Sequence, residues 1–361
     1  MNLILDNVIF ALQRAGGISV YWYELLRRLR RDGHPMQLVE HPRAAANLFR
    51  RQLDLDAATL LAERPLPLWL SRYLPYPAGK AARPLCHSSY YRRPQAADAS
   101  SVVTVYDFTY ERFRRGAARW VHSRQKIAAI RAAQGIICIS ESTRRDLLER
   151  YPDVSPDRIR VIYLGAAEDY RPLGPAGDLP RPADLPQGPF VLFVGARDSY
   201  KNFRLALEAV AAVPDYCLLS VGGGPLRRDE IELAHQLLPG RHTHLASVDN
   251  EALNRLYNSA HALLYPSSYE GFGIPVLEAM AAGCPVVAVN ASSIPEAAGD
   301  AGLLVDDICA EAFVQRLVQL EDEALRKASI DKGFAQARRF SWETCYRQTM
   351  AFYDEVYARE R

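Results

Sequence analysis

The chain lacks several features that would settle its class at once. Its six cysteines are scattered, with no Cys-x-x-Cys pair, so neither a zinc site nor a disulfide framework is indicated. No apolar run is long enough to span a bilayer. The opening residues, MNLILDNVIF, have no basic start and no cleavage site, and they read as a strand rather than a signal peptide. Internal repeats and low-complexity tracts are missing too. Net charge is small, at +2, but only by cancellation. Residues 1–170 carry 26 Lys+Arg against 17 Asp+Glu, and the remainder 18 against 25. A basic first half suits an anionic partner such as a membrane surface or a phosphate-bearing acceptor. A solvated face that happens to be rich in arginine suits it as well. What is present is a globular composition, 49% hydrophobic and 24% charged, and 361 residues, enough for two domains with a core each.

The most informative stretch is 267–296, SSYEGFGIPVLEAMAAGCPVVAVNASSIPE. An apolar strand, ALLYP, precedes it. SSYEGFG is loop chemistry, and Pro275 stands where a helix accepts proline, near its first residue. VLEAMAA is helix-forming, Gly283 and Pro285 end it, and VVAV is another buried strand. A helix N-terminus favours an anion, typically phosphate. Glu270 and Glu278 frame that end and would repel phosphate, so they should face uncharged hydroxyls, to which a carboxylate only accepts hydrogen bonds. A sugar phosphate or sugar nucleotide fits that pattern. A simple helix-dipole role for Glu278 fits its spacing equally.

Elsewhere the chain alternates strand and helix, which implies parallel, doubly wound sheets. The first strand leads to Gly16 and Gly17, then to a helix with Val20, Trp22, Leu25, Leu26 and Leu29 on its apolar face. Such a glycine pair either brings amides up to a phosphate or is just a tight turn. Residues 41–95 are hard to assign. PLPLWLSRYLPYP, with Trp69, Tyr73 and Tyr76 between Arg72 and Lys80, suits a lipid headgroup layer and a packed loop alike. The strand Val102–Val105 ends in Tyr106 and Asp107, the end at which open α/β sheets place ligands. Residues 173–189 are rich in Pro and Gly and read as a linker. The alternation restarts with FVLFVG, followed by Arg197 and Lys201 in a loop, with Asn202 as the expected N-cap of the next helix. Two cations there would grip a diphosphate and neutralise its charge as it leaves. The residues thus point to a nucleotide-sugar enzyme built from two Rossmann-like domains facing across a cleft.

YEGFGIPVLEAMAAGCPVVA, GARDSYKN, AGGISVY, ISESTRRDL and VIYLGA together resemble the motifs of family 4 retaining glycosyltransferases of the GT-B fold. The likeness covers nearly the whole chain except 41–95. It is nearest to bacterial mannosyl- and rhamnosyltransferases that build O-antigen and other surface polysaccharides. The resemblance implies an N-terminal acceptor domain over 1–172, joined by a C-terminal helix, 342–361, that crosses back to it. It implies a nucleotide-sugar domain over 190–341. Arg197 and Lys201 would bind the donor diphosphate and Glu278 the ribose hydroxyls. Glu270 would contact the transferred hexose, supported by the backbone of Phe272, Gly273 and Ile274. Gly16 and Gly17 would close over the phosphates, and the base would be read near Val248. The family's His-Asp after the N-terminal strand is here Tyr106-Asp107. A phenol at that place suggests packing against the methyl group of a 6-deoxyhexose, hence GDP-rhamnose ahead of GDP-mannose.

The implied chemistry is transfer of a hexose from a nucleotide sugar to a glycan or lipid-linked acceptor, with retention and through front-face attack. Asp54-Leu55-Asp56 lies in the unmatched segment, and no other Asp-x-Asp stands in a donor loop. Neither a metal nor another cofactor is therefore expected. Nucleic acid is not an expected partner. The expected place is cytoplasmic, peripheral at the inner face of the plasma membrane. The alternatives are another GT-B enzyme, such as an epimerase or phosphorylase, or a non-catalytic sugar-nucleotide-binding subunit.

Overall fold

The computed structural model describes residues 1–63, 66–79, 82–96, 98–174 and 188–359. The chain divides into two units, one of Met1–Leu164 with Trp342–Arg361 and the other of Gly165–Ser341. The residues between 165 and 174 belong with the second unit, eight positions before the expected boundary at 172. The reason is hydrogen bonding: Arg171 N donates to Asn254 Oδ1 (3.1 Å) and Leu173 N to Asn258 Oδ1 (2.9 Å). Most of the expected linker, 175–187, lies outside the described residues.

The first unit holds a sheet of β1 (Leu3–Asp6), β2 (Met36–Glu40), β3 (Leu60–Ala62), β4 (Leu85–Ser88), β5 (Ser100–Val105), β6 (Gly135–Cys138) and β7 (Ile159–Val161). All neighbours are parallel, in the order β3-β2-β1-β4-β5-β6-β7. Both faces are covered at the centre of the sheet, where every residue of β1, β4 and β6 is buried. The first strand is shorter than its sequence suggests. After Asp6 the chain leaves the sheet and Val8–Leu12 forms a helical turn, with Ile9 N donating to Ser89 Oγ (3.0 Å). Apolar Val, Ile and Phe suit a buried helix as well as a strand, and tertiary contacts chose the helix.

The helix Gly17–Arg31 buries Tyr21, Trp22, Leu25, Leu26 and Leu29 against this sheet. The last helix, Trp342–Arg359, packs beside it. Tyr346 donates to Asp32 (2.8 Å), Arg28 Nε to Glu343 (3.2 Å), and the Tyr353 hydroxyl meets His87 Nδ1 (2.5 Å). Gly135 permits the close approach: a Cβ there would lie 2.6 Å from Val356 Cγ2.

The second unit repeats the architecture with β8 (Phe190–Val194), β9 (Cys217–Val221), β10 (His242–Leu245), β11 (Ala262–Tyr265), β12 (Val286–Val289) and β13 (Leu303–Val305). The parallel order is β10-β9-β8-β11-β12-β13. Strand order therefore reverses between β8 and β11, and ligands of open α/β sheets bind outside the carboxyl ends at such a reversal. The core of this unit gathers Val191, Phe193, Leu207, Leu218, Leu264 and Val287 under the flanking helices.

Candidate active site

The residues expected to hold a donor in the second unit follow the carboxyl ends of its strands. Lys201 comes after β8 and Glu270 after β11, so the two flank the reversal. They form an ion pair, Lys201 Nζ to Glu270 Oε1, at 2.5 Å and mostly buried. The ammonium also lies 5.5 and 5.6 Å from the rings of Tyr200 and Tyr265, a desolvated setting that strengthens its field. Glu270 is fixed by its own backbone. Its N–H donates to Ser292 Oγ (2.8 Å), and its carbonyl accepts from Ser292 Oγ (3.0 Å) and Ser293 Oγ (2.9 Å). Asn202 does not cap the following helix with its side chain. It adopts a left-handed conformation (φ 52°), and its amide donates to Pro266 O (2.8 Å), tying the two loops together.

The helix Ile274–Ala282 starts at Gly273 (φ 107°) and ends at Gly283 (φ 83°). Phe272 turns inward onto Phe340, ring centroids 5.6 Å apart, which leaves its backbone beside the helix start. Glu278, half-buried on this helix, accepts from the Tyr257 hydroxyl (3.2 Å) and lies within hydrogen-bonding reach of Tyr170. Burial pushes its carboxyl up to about 7, against the opposing pull of the two phenols. Sequence reasoning missed both tyrosines, because they come from segments 21 and 108 residues away and no local signal marks them. Val248 follows β10, partly buried, just before Asp249 caps the helix Asn250–Ser259 through Ala252 N (2.7 Å).

Arg197 is not an open cation. Its side chain is buried and ion-paired with Glu230 (2.9 Å). Its remaining donors go to the carbonyls of Gly222 (2.6 Å), Gly223 (3.2 Å), Gly224 (3.2 Å) and Pro225 (2.9 Å). All three glycines have positive φ, and a Cβ on Gly223 would fall 2.7 Å from Arg197 Nη1. A side chain in a surface loop can commonly be removed without loss of the fold. Here the guanidinium is the tie that shapes the turn after β9. A cavity of about 390 Å³ adjoins Arg197, Asn202, Arg227 and Glu230, but Lys201, Glu270 and Glu278 do not line it.

In the first unit, Gly16 is extended (φ 163°) and Gly17 is the first residue of its helix. A Cβ on Gly16 would meet Gln13 Oε1 at 2.7 Å. Asp107 is partly exposed, and its Oδ1 accepts from Thr109 N (2.9 Å). Tyr106 corrects an expectation. Its ring is buried edge-on to Tyr21 and Tyr91, and its hydroxyl donates to Ser89 O (3.0 Å). A phenol committed in this way offers no edge to a sugar methyl group, so the argument for rhamnose over mannose loses its residue. Among the described residues no cluster of three or more His, Cys, Asp or Glu could hold a metal ion. No helix among them is long and apolar enough to cross a membrane.

Comparison with known proteins bears on this arrangement. The family model for glycosyl transferases group 1 matches residues 181–336, and that for Glycosyltransferase Family 4 matches residues 15–169. The O-antigen chain mannosyltransferase B of Escherichia coli is 32% identical over 330 residues, spanning 87% of this chain and 83% of that protein. The chain belongs to glycosyltransferase family 4. Its fold is the GT-B fold of these enzymes. A sucrose-phosphate synthase from Thermosynechococcus elongatus superposes with a TM-score of 0.73 at 24% identity, covering 99% of each chain. WaaG, a glycosyltransferase involved in lipopolysaccharide biosynthesis, superposes with a TM-score of 0.68 at 16% identity, covering 99% of each. At such identities the superpositions speak for the fold of this glycosyltransferase alone.

Proposed function

We propose that this glycosyltransferase moves a hexose of the mannose or rhamnose type from a GDP-sugar to a glycan or lipid-linked acceptor in bacterial surface polysaccharide synthesis. The observation that carries the reading is the Lys201–Glu270 pair at the strand-order reversal, one short loop from the start of the Ile274–Ala282 helix. The E. coli O-antigen mannosyltransferase supports the sugar class and the pathway class.

In this reading the donor diphosphate competes for the Lys201 ammonium and frees Glu270 to accept from hexose hydroxyls. Glu278 takes the ribose diol, and the backbone at Phe272, Gly273 and Ile274 supports hexose and phosphate. Val248 lies by the base, and Gly16, Gly17 and Asp107 are the first unit's contribution. Arg197 serves chiefly by holding the triglycine turn, since direct contact with phosphate would require it to give up carbonyl partners. The bond from the anomeric carbon to the diphosphate oxygen breaks as the acceptor oxygen bonds on the same face. The acceptor proton passes to the departing phosphate oxygen, whose new charge Lys201 stabilises.

The test is release of free nucleotide from GDP-mannose, GDP-rhamnose and UDP-glucose, with and without a lipid-linked acceptor, and the anomeric configuration of any product by NMR. Acceptor-dependent release from a GDP-sugar with retained configuration supports the proposal. An epimerised donor with no release would indicate an epimerase, and nucleotide binding with no turnover would indicate a non-catalytic subunit. Peripheral contact with an anionic membrane belongs to the same reading.

A further inference from the structure

Of the twelve large hydrophobic side chains exposed among the described residues, six lie in two short segments of the first unit. Trp69 (71% exposed), Tyr73 and Leu74 belong to the helix Leu68–Ser71 and the turn after it. Phe113, Trp120 (60% exposed) and Val121 belong to the end of the helix Thr109–Phe113 and the start of the helix Gly116–Ala132. The segments are joined: Gln125 Nε2 donates to Arg72 O at 2.6 Å, and Val121 is one turn before Gln125 on the same helix face.

The second segment carries a charge pattern to match. Residues 112–121 are exposed without a break. From 112 to 133 there is no Asp or Glu. Arg114, Arg115, Arg119 and Arg124 are all exposed there, and the Arg124 guanidinium sits 4.7 Å over the Trp120 ring. On the first segment Arg72 lies 5.0 Å over Tyr73. Tyr76, which the sequence groups with Trp69 and Tyr73, is buried and takes no part.

Two tryptophans left open to water are costly to a chain whose other two, Trp22 and Trp342, are buried. Arginine alone would suit any polyanion. Indoles and aliphatic side chains at the same level as guanidinium groups suit a headgroup layer, where an amphipathic ring finds both an apolar and a wet neighbour. Leu74 and Val121 have nothing to offer a nucleic acid, which would use stacking rings and charge.

We propose that this face, from Trp69–Leu74 to Phe113–Arg124, docks on an anionic membrane surface, with Trp69 and Trp120 entering the headgroup layer and the arginines meeting lipid phosphates. This deepens the reading of a lipid-linked acceptor by naming the surface that brings the enzyme to it, and it does not depend on the donor.

The test uses the full chain without donor. Sedimentation with phosphatidylglycerol vesicles at low salt should carry the protein down, pure phosphatidylcholine should not, and 0.5 M salt should reverse binding. Tryptophan emission should shift to the blue on vesicle addition, and the shift should vanish in the Trp69→Ala/Trp120→Ala variant, since the two remaining indoles are already buried. Arg114→Gln/Arg115→Gln/Arg119→Gln should lower the vesicle partition coefficient by roughly a hundredfold. Both variants should keep their melting temperature and their nucleotide affinity. Three results would overturn the proposal. One is no binding to anionic vesicles at low salt. Another is vesicle binding unchanged in both variants. The third is a change of oligomeric state in the tryptophan variant with vesicle binding intact, which would make the face a contact between copies. None of these bears on donor turnover, which is measured separately.

Discussion

Replacing Glu278 by glutamine tests the donor site through its electrostatics. The carboxyl titrates at about 7 in the folded chain, against an ordinary value of 4.5. Ionising it in place therefore costs at most about 3 kcal/mol more than in the unfolded chain. Between those two pH values the folded state holds a proton that the unfolded state has lost. Stability contributed at this site is therefore full below about pH 4.5 and falls as pH rises toward 7. Glutamine keeps an acceptor for Tyr257 and cannot ionise. Melting temperatures of wild type and Glu278→Gln, followed from pH 5 to 8 by scanning calorimetry, should diverge in favour of the variant as pH rises. The divergence should be several degrees, up to about 10 °C for a unit of this size. Other titrating groups cancel in the comparison. Bound donor acts in the opposite sense, because ribose hydroxyls donate best to the carboxylate. Donor affinity in wild type should weaken by up to about tenfold per pH unit below 7 and stay flat in the variant. Parallel melting curves would refute the burial argument, and a flat wild-type affinity would remove Glu278 from ribose binding.

Other substitutions separate the two cations. Lys201→Ala should lower kcat/KM by roughly 10²–10³ and also lower the melting temperature, because mostly buried Glu270 loses its cation, and near-normal turnover would take Lys201 out of the mechanism. Arg197→Ala should instead cost about 1–3 kcal/mol of stability, because the carbonyls of Gly222, Gly223, Gly224 and Pro225 lose their donor and buried Glu230 keeps only Arg227, and denaturant titration reads this directly. If Arg197→Ala unfolds like wild type but is inactive, the tie to the triglycine turn is not its role. Tyr106→Phe should cost about 1 kcal/mol for the lost bond to Ser89 and leave the ratio of GDP-mannose to GDP-rhamnose use unchanged. A changed ratio would put the phenol back beside the sugar.

The sequence by itself determined what is local. The period of the apolar residues marked the buried face of the Gly17–Arg31 helix, and Pro275 and Gly283 bracketed the helix that carries Glu278. The alternation of strand and helix implied parallel sheets, because that is how such units bury two apolar faces. The motifs placed Lys201, Glu270 and Glu278 on the loops and the helix that follow strands β8 and β11. Only the tertiary structure decided which partners these groups meet. Lys201 finds Glu270 because β8 and β11 are neighbours in the sheet though 69 residues separate the two side chains. Arg197, one loop away, is drawn into carbonyls and Glu230, and Tyr106 is drawn inward to Ser89. The first strand stops at Asp6: Asn7 N still reaches Val39 O on β2, but Ile9 N is taken by the Ser89 hydroxyl just beyond β4. Glu278 owes its raised pKa to burial, and the two phenols that oppose the rise come from segments far off in sequence. The reason is the same in each case: periodicity and turn chemistry act over a few residues, whereas burial and charge depend on distance in space, which the order of strands sets.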